Sequence, residues 1–326
     1  MMAYHGVCRN IAGECGLKRL IGLLLAALSV AGFASTFIVG SELTKDCGVS
    51  PEVLSFLRFT IAGAVMFAVT AGTAKGRRKL FATVRADWMK MAWLGPVGTS
   101  VMAWCVFMGC ARVSAANASM ADALTPLMIF AVAALKARRI EFKELVGLVC
   151  GLIGAVLVVQ IVNADGIALS AYTVGDVYIL LAAATWGVYT VYGREQIGRL
   201  GSSVFTAWTM LIGAAMIGVV LLADYALPSI FHFPFSIFNS IVWPNSTKAW
   251  LLTVALGLIS TLLPFWTWNA AQKYLPMSVL GISAYFTPVV AVSLAIVFLG
   301  EPATLFQWHG TMFIIASALV ENRRMK

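Results

Sequence analysis

Long apolar runs, separated by short charged or Pro/Gly-containing breaks, are the feature that most constrains how this chain folds. A helix that crosses the apolar core of a bilayer needs about 17–25 mostly apolar residues, and the runs meet that length. Only 11% of the 326 residues are charged and 60% are hydrophobic, whereas soluble domains carry about 25% charged residues. The pattern excludes an ordinary soluble domain and predicts a polytopic integral membrane protein.

The predicted fold class is all-α, with ten transmembrane helices. The first run follows Lys18 and Arg19, but it is too long for a signal-peptide core and further spans follow it, so we interpret it as a retained helix. The predicted helices cover residues 20–40, 53–74, 88–109, 115–135, 143–162, 175–193, 203–223, 249–270, 277–298 and 304–320.

The basic residues predict the orientation. Nineteen of the 23 Lys and Arg residues fall in alternate segments, beginning with the N-terminal segment 1–19, and only Lys45, Arg112 and Lys248 fall in the others. Cytoplasmic loops carry the excess of Lys and Arg. We therefore expect a multi-pass protein of the cell (inner) membrane with both termini in the cytoplasm. The net charge of +9 is explained by these loops, so no nucleic-acid partner is expected.

An internal repeat divides the chain into two halves. A shift of 162 residues superposes helix starts on helix starts. The matched residues are Thr99 with Thr261, Trp104 with Trp266, and Thr125-Pro126 with Thr287-Pro288. Five helices per copy is an odd number, so the second copy enters the membrane upside down. The basic turn 136–139 accordingly matches 298–301, which holds no Lys or Arg. Inverted repeats of this kind are typical of secondary transporters, whose substrate site lies between the halves near the midplane.

These patterns predict four segments. Residues 1–19 form a cytoplasmic N-terminal segment, residues 20–162 the first five-helix repeat, residues 163–174 an extracytoplasmic linker, and residues 175–322 the second repeat. The second repeat contains an external loop, 224–248, with three prolines and several aromatic residues. That loop is expected either to rest on the membrane surface or to cap the outer face.

An ordered set of short motifs resembles the drug/metabolite transporter (DMT) superfamily, and within it the EamA-type members with two five-helix repeats. The motifs are Arg58-Phe59 early in helix two, Leu-Gly in helices three and eight, Thr-Pro in helices four and nine, Gly300-Glu301-Pro302 before helix ten, and Gly147, Gly151 and Gly154 in helix five. The resemblance covers residues 20–322. It implies ten helices, alternating access without ATP, and a central cavity lined by helices one, three, four, six, eight and nine.

The chain departs from the family pattern in two places. Helix one has Phe33-Ala34-Ser35-Thr36-Phe37 where many members have a Trp-Gly start, a pattern that survives as Trp186-Gly187 in helix six. The first repeat has Lys-Ala-Arg-Arg where the second has Gly-Glu. Both departures weaken any assignment of substrate by analogy.

Asp122 and Arg58 are the ionisable residues predicted inside the membrane. Asp122 lies about 10 Å below the outer surface, at 1.5 Å per helical residue, where a charge costs about 2.5–3.5 kcal/mol. It either faces the cavity, binding a cationic group or a coupling proton, or pairs with Arg58, which lies at a similar depth. Arg58 is assigned a structural role, in that pair or by snorkelling to the interface.

Polar and aromatic residues on the expected cavity-lining helices are the remaining candidates for substrate binding. They are Asn117, Trp104, Trp186, Tyr189, Trp266, Asn269 and Tyr285. Such residues suit an amphiphilic ligand, and packing between helices is the alternative. Pro126 and Pro288 each remove a helix hydrogen bond at matched positions. They act either as bending points of alternating access or as static kinks.

The sequence therefore predicts a secondary transporter that exports or exchanges small amphiphilic metabolites such as amino acids or their derivatives. The runner-up is an exchanger of a nucleotide-derived metabolite of the S-adenosylmethionine or nucleotide-sugar type. An intramembrane enzyme or a channel is disfavoured, because neither a catalytic motif nor a selectivity filter is visible. No cofactor or metal is expected. The expected partners are the substrate, membrane lipid, protons or a counter-substrate, in a monomer or homodimer.

Overall fold

Helices joined by short turns make up almost all of the computed structural model. It describes residues 2–112, 124–138, 145–146, 149–150, 152–153, 162–163, 166–167, 174–226, 241–287, 289–290, 293–294, 309 and 312–313. The exception to helix among these residues is a two-stranded antiparallel ladder of β1 (Val162–Asn163) and β2 (Gly166–Ile167). The ladder lies where the sequence predicts the linker between the halves.

Nine helices carry the architecture of the described residues. They are α1 (Met2–Ser41), α2 (Pro51–Ala71), α3 (Ala74–Ala86), α4 (Trp88–Cys110), α5 (Thr125–Ala137), α6 (Val174–Leu200), α7 (Ser202–Ala226), α8 (Thr247–Ala271) and α9 (Met277–Ser283). A single π-helical turn, Glu42–Asp46, extends α1. Five of these helices, α1, α2, α4, α7 and α8, are long and apolar enough to cross a membrane, in agreement with the predicted spans.

One end of the bundle, here called the Glu42 end, joins the end of α1 to the starts of α2 and α8. Lys248 forms an ion pair with Glu42 there. The Ser50 N–H donates to Val242 O at 3.1 Å, and the Val242 N–H donates to Ser50 Oγ at 2.7 Å. These contacts fasten the segment before α8 onto the first turn of α2.

The opposite end, here called the Arg199 end, joins the end of α6 to the starts of α4 and α7. Arg199 pairs with Asp87 at 3.0 Å, and Lys90 lies 3.7 Å from Glu195. The side chain of Asp87 is 5% exposed, so this carboxylate is shielded and Arg199 is its charge partner.

The turn between α8 and α9 also lies at the Arg199 end. Arg194, near the end of α6, donates to Leu275 O at 2.9 Å. Partial burial lowers the pKa of Lys273 in the same turn, and the charge of Lys79 lowers it further. Several cations thus meet at this end.

These contacts fix the direction of each helix. Helix α1 runs towards the Glu42 end, whereas α6 runs away from it and ends at Arg199. In the same way α2 runs opposite to α7, and α4 runs opposite to α8. Three helices that precede the linker, α1, α2 and α4, therefore each run opposite to one of the three helices α6, α7 and α8 that follow it.

A π-helical segment interrupts both α4 and α8 at matched positions. The segments are Pro96–Val101 and Leu258–Leu262, which begin at the same place under the 162-residue shift. Local π geometry inside an α-helix adds a residue to one turn and re-aims the side chains beyond it. Both helices carry a threonine in this segment, Thr99 and Thr261, and both threonines are fully buried.

Hydroxyl groups on α1 satisfy backbone carbonyls of α8 around a proline. Pro264 has no N–H, so the carbonyl of Ser260 is freed from its helical bond. Thr36 Oγ1 donates to that carbonyl at 3.0 Å, and Ser29 Oγ donates to the carbonyl of Pro264 at 2.8 Å. Gly32 lets the two helices approach, since a Cβ there would lie 2.9 Å from the Pro264 ring.

Helix α3 is a basic helix in a segment that lies between two predicted spans and was expected to be a loop. It follows α2 directly and buries Leu80 completely. Trp208 of α7 donates to the Leu80 carbonyl at 3.2 Å, and Lys79 donates to Leu200 O at 3.3 Å. An amphipathic basic helix of this kind suits the bilayer surface, and a search for long apolar runs does not detect it.

Candidate functional site

A cavity of about 60 Å³ lies where seven helical segments meet in the middle of the bundle. At roughly 10–15 Å³ for one water molecule, this volume holds a few waters, so the walls must separate to admit a metabolite. The wall includes α1, α2, α4, α6 and α8, as well as the beginning of α5 and the chain that follows α9. The lining residues are Val30, Phe33, Thr36, Phe37, Arg58, Met102, Val106, Thr125, Ala182, Trp186, Trp268, Ala284 and Thr287.

Five aromatic side chains, here called the aromatic cluster, pack together at one side of this cavity. They are Phe33, Trp186, Tyr189, Phe265 and Trp268, and three of them, Phe33, Trp186 and Trp268, line the cavity. The Trp186 ring stacks on Tyr189 at 5.3 Å and 24° and meets Phe265 edge-on at 4.9 Å. Phe33 contacts Trp186 edge-on at 5.1 Å. Such pairs contribute about 0.5–1.5 kcal/mol each beyond the area they bury, so the cluster ties α1, α6 and α8 together.

Helical spacing explains why these aromatic residues meet. Trp186 and Tyr189 lie three residues apart on α6, and Phe265 and Trp268 lie three residues apart on α8. Residues at this spacing share one face of a helix. The two faces point at each other, and Phe33 of α1 fills the gap between them.

A polar network centred on Asn269 lies behind the aromatic cluster. Asn269 Nδ2 donates to Tyr189 Oη at 3.0 Å and to Thr206 Oγ1 at 2.9 Å, while Asn269 Oδ1 accepts from Gln272 at 3.2 Å. The Tyr189 hydroxyl also lies 3.2 Å from Thr209 Oγ1. Each polar atom of the Asn269 amide has a partner, so the network holds α6, α7 and α8 in register.

Helix α4 presses closely on this network. A Cβ added at Gly98 would lie 2.0 Å from Tyr189 Cδ2, which no real side chain tolerates. Small residues at helix interfaces permit such approach inside membranes. Gly98 and Tyr189 therefore fix the distance between α4 and α6 at the base of the cavity.

Arg58 lines the same cavity and is 1% exposed. Its Nε donates to Thr261 Oγ1 at 2.8 Å, and its Cζ lies 5.0 Å from the Phe59 ring centroid and 5.2 Å from that of Phe107. Among the described residues its Nη1 has no hydrogen-bond partner. A side chain buried to this degree does not snorkel to the interface, which corrects that part of the sequence interpretation.

Leaving Nη1 of Arg58 buried without a hydrogen-bond partner lowers the stability of the folded protein. A hydrogen bond to a charged group contributes about 1.5–3 kcal/mol, and leaving a buried donor without one forfeits at least that much. The two phenyl rings beside Arg58 supply cation–π contacts, but they offer no acceptor in the plane of the guanidinium.

Two indoles at matched positions contact helices outside the cavity. Trp104 Nε1 donates to Glu52 Oε1 at 3.3 Å, and Trp266 Nε1 donates to Ser203 Oγ at 3.0 Å. Each bond runs from near the end of one helix to the first turn of another, α4 to α2 and α8 to α7. Neither indole is among the residues that line the central cavity.

Pro126 and Tyr285 lie near a second cavity of about 140 Å³ between α5 and α9. Pro126 lines it and occupies the first turn of α5, where a missing N–H breaks no helical bond. Tyr285 is fully buried and packs beside Ile282. Residues 113–123, directly before α5, lie outside the described residues, so the bending role of Pro126 stays a prediction.

The structure brings some of the predicted site residues together and separates others. Trp186 lines the central cavity, and Tyr189 and Asn269 lie behind it. Asp122, Asn117 and Pro288 lie outside the described residues, as does any pairing of Asp122 with Arg58. Sequence reasoning missed two buried groups, Glu52 and the Thr261 hydroxyl. The matched position of Thr261 in the repeat was a signal for the second, and Glu52 gave none.

A helical, multi-pass membrane protein with a cavity where its helices converge is the class that fold and site define. The model of the EamA-like transporter family matches residues 20–160 and 173–322. The chain therefore belongs to the EamA-like transporter family, in the DMT superfamily, and the resemblance seen in its motifs is confirmed.

Named relatives are similar over most of their length. The aromatic amino acid exporter YddG of Ancylobacter novellus is 28% identical over 76% of this chain and 79% of its own. A probable terminal-alkyne amino-acid exporter of Streptantibioticus cattleyicolor is 29% identical over 91% of this chain and 92% of its own. A crystal structure with 26% identity superposes with a TM-score of 0.70, covering 95% of this chain and 99% of that one. These names indicate a transporter and not an enzyme.

Proposed function

We propose that the protein is a secondary transporter that moves small amphiphilic metabolites, such as amino acids or their derivatives, by alternating access without ATP. The observation that carries this proposal is the central cavity, with its apolar and aromatic wall and a few convergent polar groups. Pockets of this composition bind small ligands and orient them by a few polar contacts. The names of two relatives, an aromatic amino acid exporter and a probable terminal-alkyne amino-acid exporter, favour the same substrate class and the outward direction.

The proposed architecture is ten helices in two inverted five-helix repeats, 20–162 and 175–322, joined by the linker 163–174. Its support is the opposite direction of counterpart helices and the π segments at matched places in α4 and α8. The loop 224–248 belongs to the second repeat. A site between inverted halves can be exposed to either side by a rocking of one half against the other.

The proposed orientation places the Arg199 end in the cytoplasm, with both termini there and the protein in the cell (inner) membrane. Lys79, Lys90, Arg194, Arg199 and Lys273 support this, since all lie at or near that end. Cytoplasmic segments carry the excess of basic residues.

Within the site, we assign Trp186 a direct contact with the substrate and Tyr189 and Asn269 a supporting role behind it. Asp122 and Asn117 stay predictions for the same cavity, where an acidic group would suit a substrate ammonium. Trp104, Trp266 and Tyr285 hold helices together in this proposal and contact no substrate.

Counterflow in proteoliposomes tests the function. Purified protein is reconstituted with unlabelled L-phenylalanine, L-leucine or phenylethylamine inside, and entry of the labelled compound is followed. The expected result is transient accumulation that saturates with concentration and is absent from protein-free liposomes. Flux without saturation would mean a channel, and no flux above the lipid background for any compound would overturn the proposal.

A further inference from the structure

We propose that Arg58 binds the carboxylate of the transported metabolite, which makes the substrate a small carboxylate with an apolar or aromatic body. The inference rests on the proposed function and deepens it. It begins from a cation that lines the central cavity, is almost completely buried, and has a donor nitrogen with no partner among the described residues.

Thr261 orients the guanidinium. Its hydroxyl donates its one proton to Leu256 O at 2.7 Å, so its lone pairs are free to accept from Arg58 Nε at 2.8 Å. With Nε held in this way, Nη1 is left without a hydrogen-bond partner among the described residues. Two parallel N–H groups of a guanidinium match the two oxygens of a carboxylate, and this bidentate contact is stronger than a single neutral hydrogen bond.

The surroundings favour an acceptor supplied by a ligand. Phe59 and Phe107 flank the guanidinium and hold its plane. In the part of the cavity wall that the structure describes, the other polar side chains are the hydroxyls of Thr36, Thr125 and Thr287 and two indoles, and no Asp or Glu is present. A ligand carboxylate would therefore neutralise the charge of Arg58 at this wall.

The same cavity also has a place for the rest of the ligand. Phe33, Trp186 and Trp268 line it together with Arg58. An apolar or aromatic body on these rings and a carboxylate on the guanidinium satisfy both parts of the wall at once. A neutral amide or an amine in place of the carboxylate leaves the Arg58 charge without its partner.

A ligand series on the wild-type protein tests this first. Inhibition of L-phenylalanine counterflow is compared for unlabelled L-phenylalanine, L-phenylalaninamide and phenylethylamine, which share the aromatic body. The carboxylate is expected to compete about 10- to 100-fold better than either analogue, since that is the worth of a charged hydrogen bond. Equal competition, or saturable flux of phenylethylamine without flux of L-phenylalanine, overturns the role of Arg58 and leaves the transporter intact. Absence of saturable flux for every compound overturns the proposed function instead.

Variants then locate the effect. Arg58→Gln is expected to raise the KM for L-phenylalanine about 10- to 100-fold and to abolish the preference over the amide, while Arg58→Lys retains part of both. Arg112→Gln is the control, because Arg112 lies over the Tyr178 ring and donates to Met108 O, outside the cavity. If Arg58→Gln fails to fold, the wild-type series still decides.

Asp122→Asn separates a ligand carboxylate from one within the chain. If Arg58 serves Asp122, this substitution and Arg58→Gln lower the melting temperature alike and neither changes the preference for a carboxylate. That outcome overturns the proposal. The expected result is a carboxylate preference that depends on Arg58 and persists in Asp122→Asn.

Discussion

Two corners of the bundle contain threonines that coincide under the 162-residue shift, Thr261 and Thr99, but they differ in their partners: Thr261 bonds to a charged side chain that lines the cavity. On α8, Thr261 accepts from Arg58, whose Nη1 has no partner among the described residues. On α4, Thr99 donates to Gly95 O at 2.6 Å and lies 3.3 Å from Thr209 O. At the Thr261 corner, Arg58 Nη1 is a hydrogen-bond donor without a partner among the described residues. At the Thr99 corner, the threonine hydroxyl bonds to backbone carbonyls.

The Thr99 corner continues into the polar network around Asn269. Tyr189 bonds to both Thr209 and Asn269, and Gly98 of α4 packs against the Tyr189 ring. At the edge of this network the neutral Gln272 Oε1 has no partner among the described residues, whereas at the Thr261 corner the unpartnered atom belongs to a charged group. The difference indicates a division of labour between equivalent places in the two halves. The Thr99 corner stabilises the packing of the helices. The Thr261 corner is less stable, because it holds Arg58 with an unpartnered donor that a ligand can bind.

The largest expected effect comes from overfilling the Thr99 corner. Gly98→Ala places a Cβ 2.0 Å from Tyr189 Cδ2, and the ring cannot retreat because Tyr189 is held by Asn269 and Trp186. We expect a loss at or above the upper end of the about 1–3 kcal/mol typical of overpacking, measured as a lower melting temperature in detergent.

Gly198→Ala is the matched control, because a Cβ at Gly198 meets nothing within 4 Å. Alanine in a helix is favoured over glycine by about 1 kcal/mol, so this variant should melt at the same temperature or higher. Equal melting temperatures for both variants would show that α4 and α6 are not in the close contact described.

A smaller effect is expected from opening the network. Asn269→Leu keeps the volume but leaves the Gln272 amide and the Thr206 hydroxyl without a partner, at a cost of about 1–3 kcal/mol. Tyr189→Phe removes one hydroxyl and should cost less. A melting temperature that falls more for Tyr189→Phe than for Asn269→Leu would place the centre of the network elsewhere.

The smallest expected effect separates the two threonines. Thr261→Val removes the acceptor that orients Arg58 but leaves the guanidinium in the cavity, so we expect the KM for L-phenylalanine to rise by about 2- to 10-fold, less than for Arg58→Gln. Thr99→Val removes a donor to carbonyls within the packed corner, so the KM should stay unchanged. An equal rise in the KM of both variants would contradict the proposed difference between the two corners.

Sequence patterns predicted the helices well and the site less well. The runs from 53, 88, 203 and 249 correspond to α2, α4, α7 and α8, because length and apolarity determine a span. Helix α3 was missed, since its basic composition resembles a loop and only packing on α7 reveals its apolar side.

The site depended on contacts between helices that are distant in the sequence. Trp186 could be placed at the cavity because its helix was assigned to the lining. Trp104 and Trp266 fitted the same reasoning, yet they bond to Glu52 and Ser203, partners that periodicity cannot select. The structural role predicted for Arg58 rested only on its depth in the membrane. Its contact with Thr261 depends on the π-helical segment Leu258–Leu262, which no sequence pattern predicts.

Parallel measurement of KM for L-phenylalanine and of melting temperature in Arg58→Gln and Asn269→Leu tests the division between the corners most directly. We expect opposite effects in the two variants. Arg58→Gln raises the KM and melts at the wild-type temperature or higher, whereas Asn269→Leu melts at a lower temperature and retains the wild-type KM. A loss of stability without a change in KM for Arg58→Gln would contradict this expectation.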